Sequence, residues 1–262
     1  LYTLGTTIQL TPSLGIRYTD NSIYGGEWAP QAGFTLTWKD TQVHGSMSRG
    51  VNFPGLYARF MMENWGRETL WQELEPETVD HWEIGVSQQF GKHLRGDLTW
   101  FHDSGENRLM FSAPPPTFDN IENFTIQGAE LNLSLTLPHG ISAFLGGVVL
   151  DKDPTDLPNA PDYTLTAGVG IDTDLGISLS VDAERIGERT NYNPRFPGVR
   201  TALDPYTLVN ARVQYRIPDQ WNRLGISLWL AGENLLDTEY EYKPDYPMPG
   251  ASVSGGVKFM WL

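Results

Sequence analysis

The chain of 262 residues contains no cysteine, which excludes a disulfide framework and any thiolate metal site. No apolar run approaches the roughly eighteen residues that a membrane-crossing helix needs. Basic residues are scarce, 18 Lys and Arg against 32 Asp and Glu, for a net charge of -14. Phosphate backbones would be repelled, so nucleic acid is not an expected partner. The five histidines, His44, His81, His93, His102 and His139, never fall at i, i+2 or H-x-x-x-H spacing. Neither a metal site nor a bis-histidine haem site is signalled. G-x-S-x-G, Walker and dinucleotide motifs are all missing, so no catalytic residue and no cofactor is expected.

What is present is alternation. Leu175, Ile177, Leu179, Val181 and Ala183 alternate with Gly176, Ser178, Ser180, Asp182 and Glu184. One face of such a strand is apolar and the other is small or acidic. Tyr163, Leu165, Ala167, Val169 and Ile171 repeat the pattern. So do Ala129 through Leu137, Leu224 through Leu230, and Val253, Val257, Phe259 and Trp261. About thirteen strands of roughly nine to fourteen residues emerge, the length a tilted bilayer-crossing strand needs. A mean hydropathy of -0.33 agrees with this, because only alternate residues would meet lipid. Aromatics form 12% of the chain, with nine Trp and eleven Tyr. Trp38, Trp82, Trp100, Trp221 and Trp261 fall in or at the ends of strands, where girdles at the two membrane interfaces place them; ordinary strand core is the other reading.

The connections sort into two alternating classes. Short ones are read at Thr11-Pro12, Lys39-Asp40, Gly91-Lys92-His93, Pro138-His139-Gly140, Asp172-Thr173-Asp174 and Pro218-Asp219-Gln220. Long ones are read at 19–31, 50–78, 103–123, 151–160, 187–203 and 235–250. Short periplasmic turns and long extracellular loops are the outer-membrane pattern. The fold class expected is therefore all-β, a transmembrane antiparallel β-barrel. The first strand, Tyr2 to Leu10, then runs toward the periplasm, and so does the last. An odd count starting outside implies at least one strand ahead of Leu1, since closed single-chain bacterial barrels have even counts. The chain reads as a piece of a longer protein whose signal peptide lies elsewhere.

Three segments resemble the barrel of TonB-dependent outer-membrane receptors. Ser48 to Tyr57, with Phe53-Pro54-Gly55-Leu56, is similar to a strand end leading into a long loop. There Asn52 stands where the family usually has Arg. Leu74-Glu75-Pro76-Glu77, then Glu83 and Gly85, is similar to a strand opening continued by Gly128-Ala129-Glu130. Glu233-Asn234-Leu235-Leu236-Asp237-Thr238-Glu239-Tyr240, then Tyr246-Pro247-Met248-Pro249-Gly250 and a closing strand, resembles the family's C-terminal signature; Ala251 replaces its usual Arg. The resemblance implies a 22-stranded barrel with a plugged lumen, of which residues 1–262 are the C-terminal portion. It implies as partners an N-terminal plug and the remaining strands, TonB, outer-membrane lipid and lipopolysaccharide, and a small nutrient ligand, with a ferric siderophore or similar metal chelate as the family's usual cargo.

Candidate ligand contacts lie in two loops. Residues 50–78 carry Phe53, Tyr57, Arg59, Trp65, Arg67 and Trp71, besides Phe60, Met61 and Met62. Aromatics with arginine suit a flat, anionic or aromatic ligand; a loop packed on itself would use the same residues. Residues 187–203 carry Arg189, Tyr192, Arg195 and Arg200, suited to an anionic ligand or to salt bridges with acidic neighbours. Asp151, Asp153 and Asp156 lack the spacing of a calcium loop. Arg17, Glu83, Arg95, Asp97, Glu130, Asp182, Glu184, Arg212, Arg216 and Lys258 fall on the polar parity, where they would pair across strands, meet a plug or line a pore. A passive porin-like channel of about fourteen strands is the second functional reading, and an outer-membrane barrel enzyme the third.

Overall fold

The computed structural model describes residues 2–4, 8–67, 69–112, 117–193, 199–217 and 224–261. The strands are β1 (Tyr2–Leu4), β2 (Ile8–Asn21), β3 (Gly25–Trp38), β4 (Thr41–Asn52), β5 (Glu77–Phe90), β6 (Leu94–Ser112), β7 (Thr117–Thr136), β8 (Ile141–Asp153), β9 (Tyr163–Asp172), β10 (Ile177–Ile186), β11 (Arg189–Tyr192), β12 (Arg200–Leu203), β13 (Tyr206–Ile217), β14 (Leu224–Glu233), β15 (Glu241–Lys243), β16 (Tyr246–Pro247) and β17 (Ser252–Trp261). One helix, α1 (Leu56–Asn64), and a 3-10 turn at Leu70–Glu73 lie between β4 and β5. Among the described residues no helix is long and apolar enough to cross a membrane.

Thirteen strands form one sheet in the order β1 to β10, then β13, β14 and β17. Every neighbouring pair is antiparallel, and among the described residues the sheet does not close between β1 and β17. The all-β class, the antiparallel meander and the strand number follow the sequence reading. β11–β12 and β15–β16 are separate two-stranded hairpins.

Register joins the alternating residues into two continuous faces. Leu179 opposes Ile171 on β9 and Val213 on β13, while Leu230 opposes Gly255 and Leu228 opposes Val257. The apolar set is largely uncovered. Leu14 is 86% exposed, Val169 61% and Phe259 66%; Leu175, which the alternation places in a strand, lies instead in the turn ahead of β10. The buried residues sit elsewhere, in the connections: Ala58, Met62, Trp71 and Leu74 form one cluster, and Ile186, Tyr206 and Leu208 another at a strand end. A sheet with its apolar side chains outside is stable in hydrocarbon, where the backbone is satisfied between strands.

The apolar band has the height of a bilayer core. Trp28 and Trp38 lie on the outward face of β3, both at least half exposed. Ten residues at about 3.3 Å each, tilted 35–45°, span roughly 25 Å. Trp82, Trp100 and Trp261 share the outward face; Trp221 lies outside the described residues.

Several connections differ from the sequence reading. Thr11 and Pro12 form no turn but lie inside β2, opposite Thr35 and Phe34. From Thr11 onward β2 has β3 as its single described neighbour, an edge position that admits a residue without an N–H. Residues 19–31 are not a long loop: β2 and β3 run on to a turn at 22–24. Likewise 103–123 is mostly strand, since β6 and β7 are 19 and 20 residues long. Beyond the apolar band the outward residues turn polar, which ends the alternation, but backbone pairing continues without it. The sorting of connections survives. Those at 39–40, 91–93 and 137–140 lie at one end, and those at 53–76, 154–162, 187–205 and 234–251 at the other.

On the inward face the charges pair both along and across strands. Arg95 bonds Asp97 on its own strand at 2.9 Å. Ser46 donates to Glu83 at 3.0 Å, Asn132 to Glu130 at 2.6 Å and Asn210 to Asp182 at 2.9 Å. The Arg212 guanidinium lies 4.8 Å from the Trp229 ring.

Candidate functional site

The connections at the long-loop end pack into one rim. Residues 53–76 fold over α1, where Ala58 and Met62, four residues apart, share one helix face and bury against Trp71 and Leu74. Tyr24, from the turn between β2 and β3, donates its hydroxyl hydrogen to the Trp71 carbonyl at 3.1 Å. Burial at this loop position raises the Tyr24 hydroxyl pKa.

The candidate residues of this loop divide. Trp71 is buried in the loop's own core, and the Arg59 guanidinium sits 4.5 Å from its ring while bonding Glu63 at 2.8 Å. Trp65 stacks on Phe118 of β7 at 6.0 Å and 17°, with Phe111 of β6 at 5.5 Å. Tyr57 meets Phe118 edge-on at 6.2 Å. Phe53, at the start of the loop, and Arg67, between α1 and the 3-10 turn, are half-buried. Four candidates, Tyr57, Arg59, Trp65 and Trp71, are thus brought together against the β6–β7 tip. α1 leaves Leu56, Tyr57 and Phe60 outward, between 62% and 79% exposed.

The second loop forms the hairpin β11–β12, held on three sides. Arg189 is 8% exposed; it donates to the Glu241 backbone carbonyl and lies 5.0 Å from the Tyr206 ring. Its Nη1 is buried with no hydrogen-bond partner among the described residues. Asn191 donates to the Tyr242 carbonyl at 3.1 Å. Tyr192 reaches Met110 of β6, its hydroxyl 3.1 Å from the sulfur. Arg200 bonds Asp156 at 2.6 Å. Arg195 lies outside the described residues.

A cavity of about 800 Å³ opens between the two rim hairpins, lined by Asn193, Thr201, Asp204, Glu239, Tyr240 and Met248 among others. A second of about 570 Å³ lies against the inward wall and includes Asp182, Asn210, Arg212 and Glu233. Tyr240, Met248 and Gly250 line both. Both volumes fall in the range of small-molecule sites. Tyr240 packs on Tyr206 at 4.6 Å and on Tyr242 at 5.5 Å. Burial raises the Tyr240 hydroxyl pKa above its ordinary value.

Sequence reasoning missed this tyrosine cluster and Trp229. Trp229 shares the polar parity of Ser227 and Ala231; a tryptophan on that face was the signal available. Asn234 was singled out by resemblance, and the structure supplies its role. Its φ is +48°. Its side-chain amide donates to the Thr238 and Pro249 carbonyls at 2.9 and 3.3 Å, and its oxygen accepts from the Thr238 N–H at 2.9 Å. The residue clamps the start of the 234–251 connection to its end.

Comparison with known proteins fits this geometry. A family model described as TonB dependent receptor-like, beta-barrel matches residues 2–235. No curated protein matches the sequence. A variant of the ferric enterobactin receptor of Pseudomonas aeruginosa, solved with enterobactin, superposes with a TM-score of 0.76 at 17% identity, over 99% of this chain and 44% of that one. The siderophore receptor of Acinetobacter baumannii gives 0.73 at 14%, over 99% and 44%. The ferric-catecholate import receptor of E. coli K12 gives 0.67 at 16%, over 91% and 35%. At these identities the likeness is one of fold, and the chain spans less than half the length of each of these structures.

Proposed function

Because this chain belongs to the TonB-dependent receptor β-barrel family, we propose that it is the C-terminal barrel portion of an outer-membrane active-transport receptor. The receptor binds a small, scarce nutrient at its extracellular rim and imports it with energy supplied through TonB. A ferric siderophore or similar metal chelate is the cargo, the class for which the structural neighbours are named as receptors. The observation that carries this reading is the rim. Four connections from one end of a membrane-width sheet interlock through Trp65–Phe118, Tyr192–Met110 and Asn191–Tyr242, around cavities of ligand size.

Residues of the two candidate loops make the ligand contacts. Tyr57, Phe53, Arg67 and Arg200 offer partly or fully exposed groups; Arg195 is a further candidate by sequence. Arg59, Trp65, Trp71, Tyr192 and Arg189 shape the surface on which these stand. The plug and the remaining strands come from parts of the protein outside these residues. The inward charges then face the plug.

Uptake of radiolabelled iron by cells carrying the complete receptor tests this. Uptake of a ferric siderophore that stops when the proton-motive force is dissipated is the expected result. Uptake that continues unchanged would point instead to the passive channel, and no uptake of any chelate would remove the iron cargo.

A further inference from the structure

Several charges on the inward face are tied to neighbours, as Arg95 is to Asp97 and Lys152 to Asp162. One sector of the wall differs. Arg212 stands opposite Ala231, Gln214 opposite Trp229 and Arg216 opposite Ser227. β17 adds Ser254, Gly256 and Lys258 to these three rows. On the other side, β10 presents Ser180 to Arg212 and Ser178 to Gln214. The rows thus hold two arginines, a lysine and a tryptophan, and no carboxylate. In a chain of net charge -14 that is a local reversal of sign. Arg212, Arg216 and Lys258 are exposed. Among the described residues their side-chain nitrogens have no hydrogen-bond or ion-pair partner.

Trp229 sits at the centre of these cations. Its indole lies over Gly256, where an added side-chain carbon would come 2.9 Å from the indole Nε1. The missing side chain lets the ring lie along the wall instead of standing into the lumen. The Arg212 guanidinium is 4.8 Å from the ring. That contact orients the guanidinium through its charge and leaves its N–H groups to donate elsewhere. Arg216 and Lys258 flank Ser227 in the row below, two strand spacings or about 10 Å apart.

The patch is reached from the rim. The wall cavity that contains Arg212 shares Tyr240, Met248 and Gly250 with the rim cavity. Its carboxylates, Asp182 and Glu233, lie one inward position above the Arg212 row, so the wall changes sign at Arg212.

We propose that this patch is a second binding site, for an aromatic polyanion, in the space between the wall and the plug. Arg212, Arg216 and Lys258 donate to its oxygens, and the open edge of Trp229 meets its ring. A ring with adjacent anionic oxygens, the catecholate arrangement, satisfies both features at once. The proposal rests on the reading of this chain as part of an import receptor, and it gives the cargo a stopping point below the rim.

Equilibrium dialysis of the complete receptor against ferric tris(catecholate), labelled with radioactive iron, tests it. Two sites are expected. Arg212→Gln and Trp229→Leu should each weaken one of them about tenfold and leave the other as it was. Arg212→Lys, which keeps the charge, should recover part of the loss. Arg200→Gln should weaken the other site instead. Gel mobility before and after heating reports the folded barrel in each variant. Fewer than two sites, or a second site indifferent to both Arg212 and Trp229, would overturn the proposal. An ion leak across planar bilayers opened by Arg212→Gln, with both sites intact, would also overturn it, by assigning the cations to the plug. The import reading is judged apart from this, because uptake by the parent receptor that depends on the proton-motive force can stand with or without a wall site.

Discussion

The carboxylate of Asp237 occupies the space that a side chain on residue 250 would need: a carbon added to Gly250 would lie 2.5 Å from Asp237 Oδ1. That same oxygen accepts the Ala251 N–H at 2.8 Å. Asp237 and Gly250 thus close the 234–251 connection at its two ends, and the two residues are legible together only in the fold. Gly250→Ala should push the carboxylate off the Ala251 N–H. The loss of this charge-assisted bond should cost roughly 1.5–3 kcal/mol locally, read as faster amide exchange across 235–251 with the strands unaffected.

Asn234→Ala should act on the same connection more strongly. It removes two donated bonds and one accepted bond from a residue 5% exposed, and it replaces a residue that tolerates φ +48° with one that does not. A loss of about 2–4 kcal/mol in the connection is expected. Limited proteolysis between 235 and 250 measures it; protection equal to the parent protein would show the clamp to be unnecessary.

The two faces of β10 should respond oppositely to charge. Leu179→Lys places a cation at mid-band and should cost roughly 2–4 kcal/mol. Ser180→Lys, one residue on and facing inward, should cost far less. Unfolding of the complete receptor in lipid vesicles compares them. Equal costs would mean that the apolar face is not the one against lipid.

Phe118→Ala should detach the 53–76 loop from β7, because Trp65 and Tyr57 both pack on that ring. A half-open site should lose about 2–3 kcal/mol, below the range for a fully buried phenylalanine. Trp65 fluorescence should shift to the red, and ligand affinity should fall with it. A red shift without loss of affinity would separate this loop from the ligand.

Arg200→Gln leaves a half-buried site and releases Asp156 from an exposed pair, so its effect on stability should stay within about 1 kcal/mol. Affinity for an anionic ferric chelate should nonetheless drop severalfold, measured by quenching on titration. Arg189→Gln should behave differently: its guanidinium is packed on Tyr206 and tied to Glu241, so loss of hairpin order comes first. Unchanged affinity in both variants would remove the arginines of this hairpin from the binding surface.

The sequence alone determined the sheet and its sidedness. Ile177, Leu179 and Val181 against Ser178, Ser180 and Asp182 specify a strand and its two faces, because side chains alternate with period two and each face meets one solvent. Turn residues such as Lys39, whose φ is +52°, mark where strands reverse. The rim was beyond that logic. Tyr192 and Met110 are 82 residues apart, Arg189 and Glu241 are 52 apart, and no local period relates them. Thr11-Pro12 looked like a turn because turn chemistry is local, whereas whether a strand continues depends on the neighbour it pairs with. Likewise the aromatics of 53–76 suited a ligand or a loop core equally well by composition. Only packing decided that Trp71 is inside, that Tyr57 and Phe60 are out, and that Arg59 lies over a neighbouring ring, because burial is a property of which segments the barrel brings side by side.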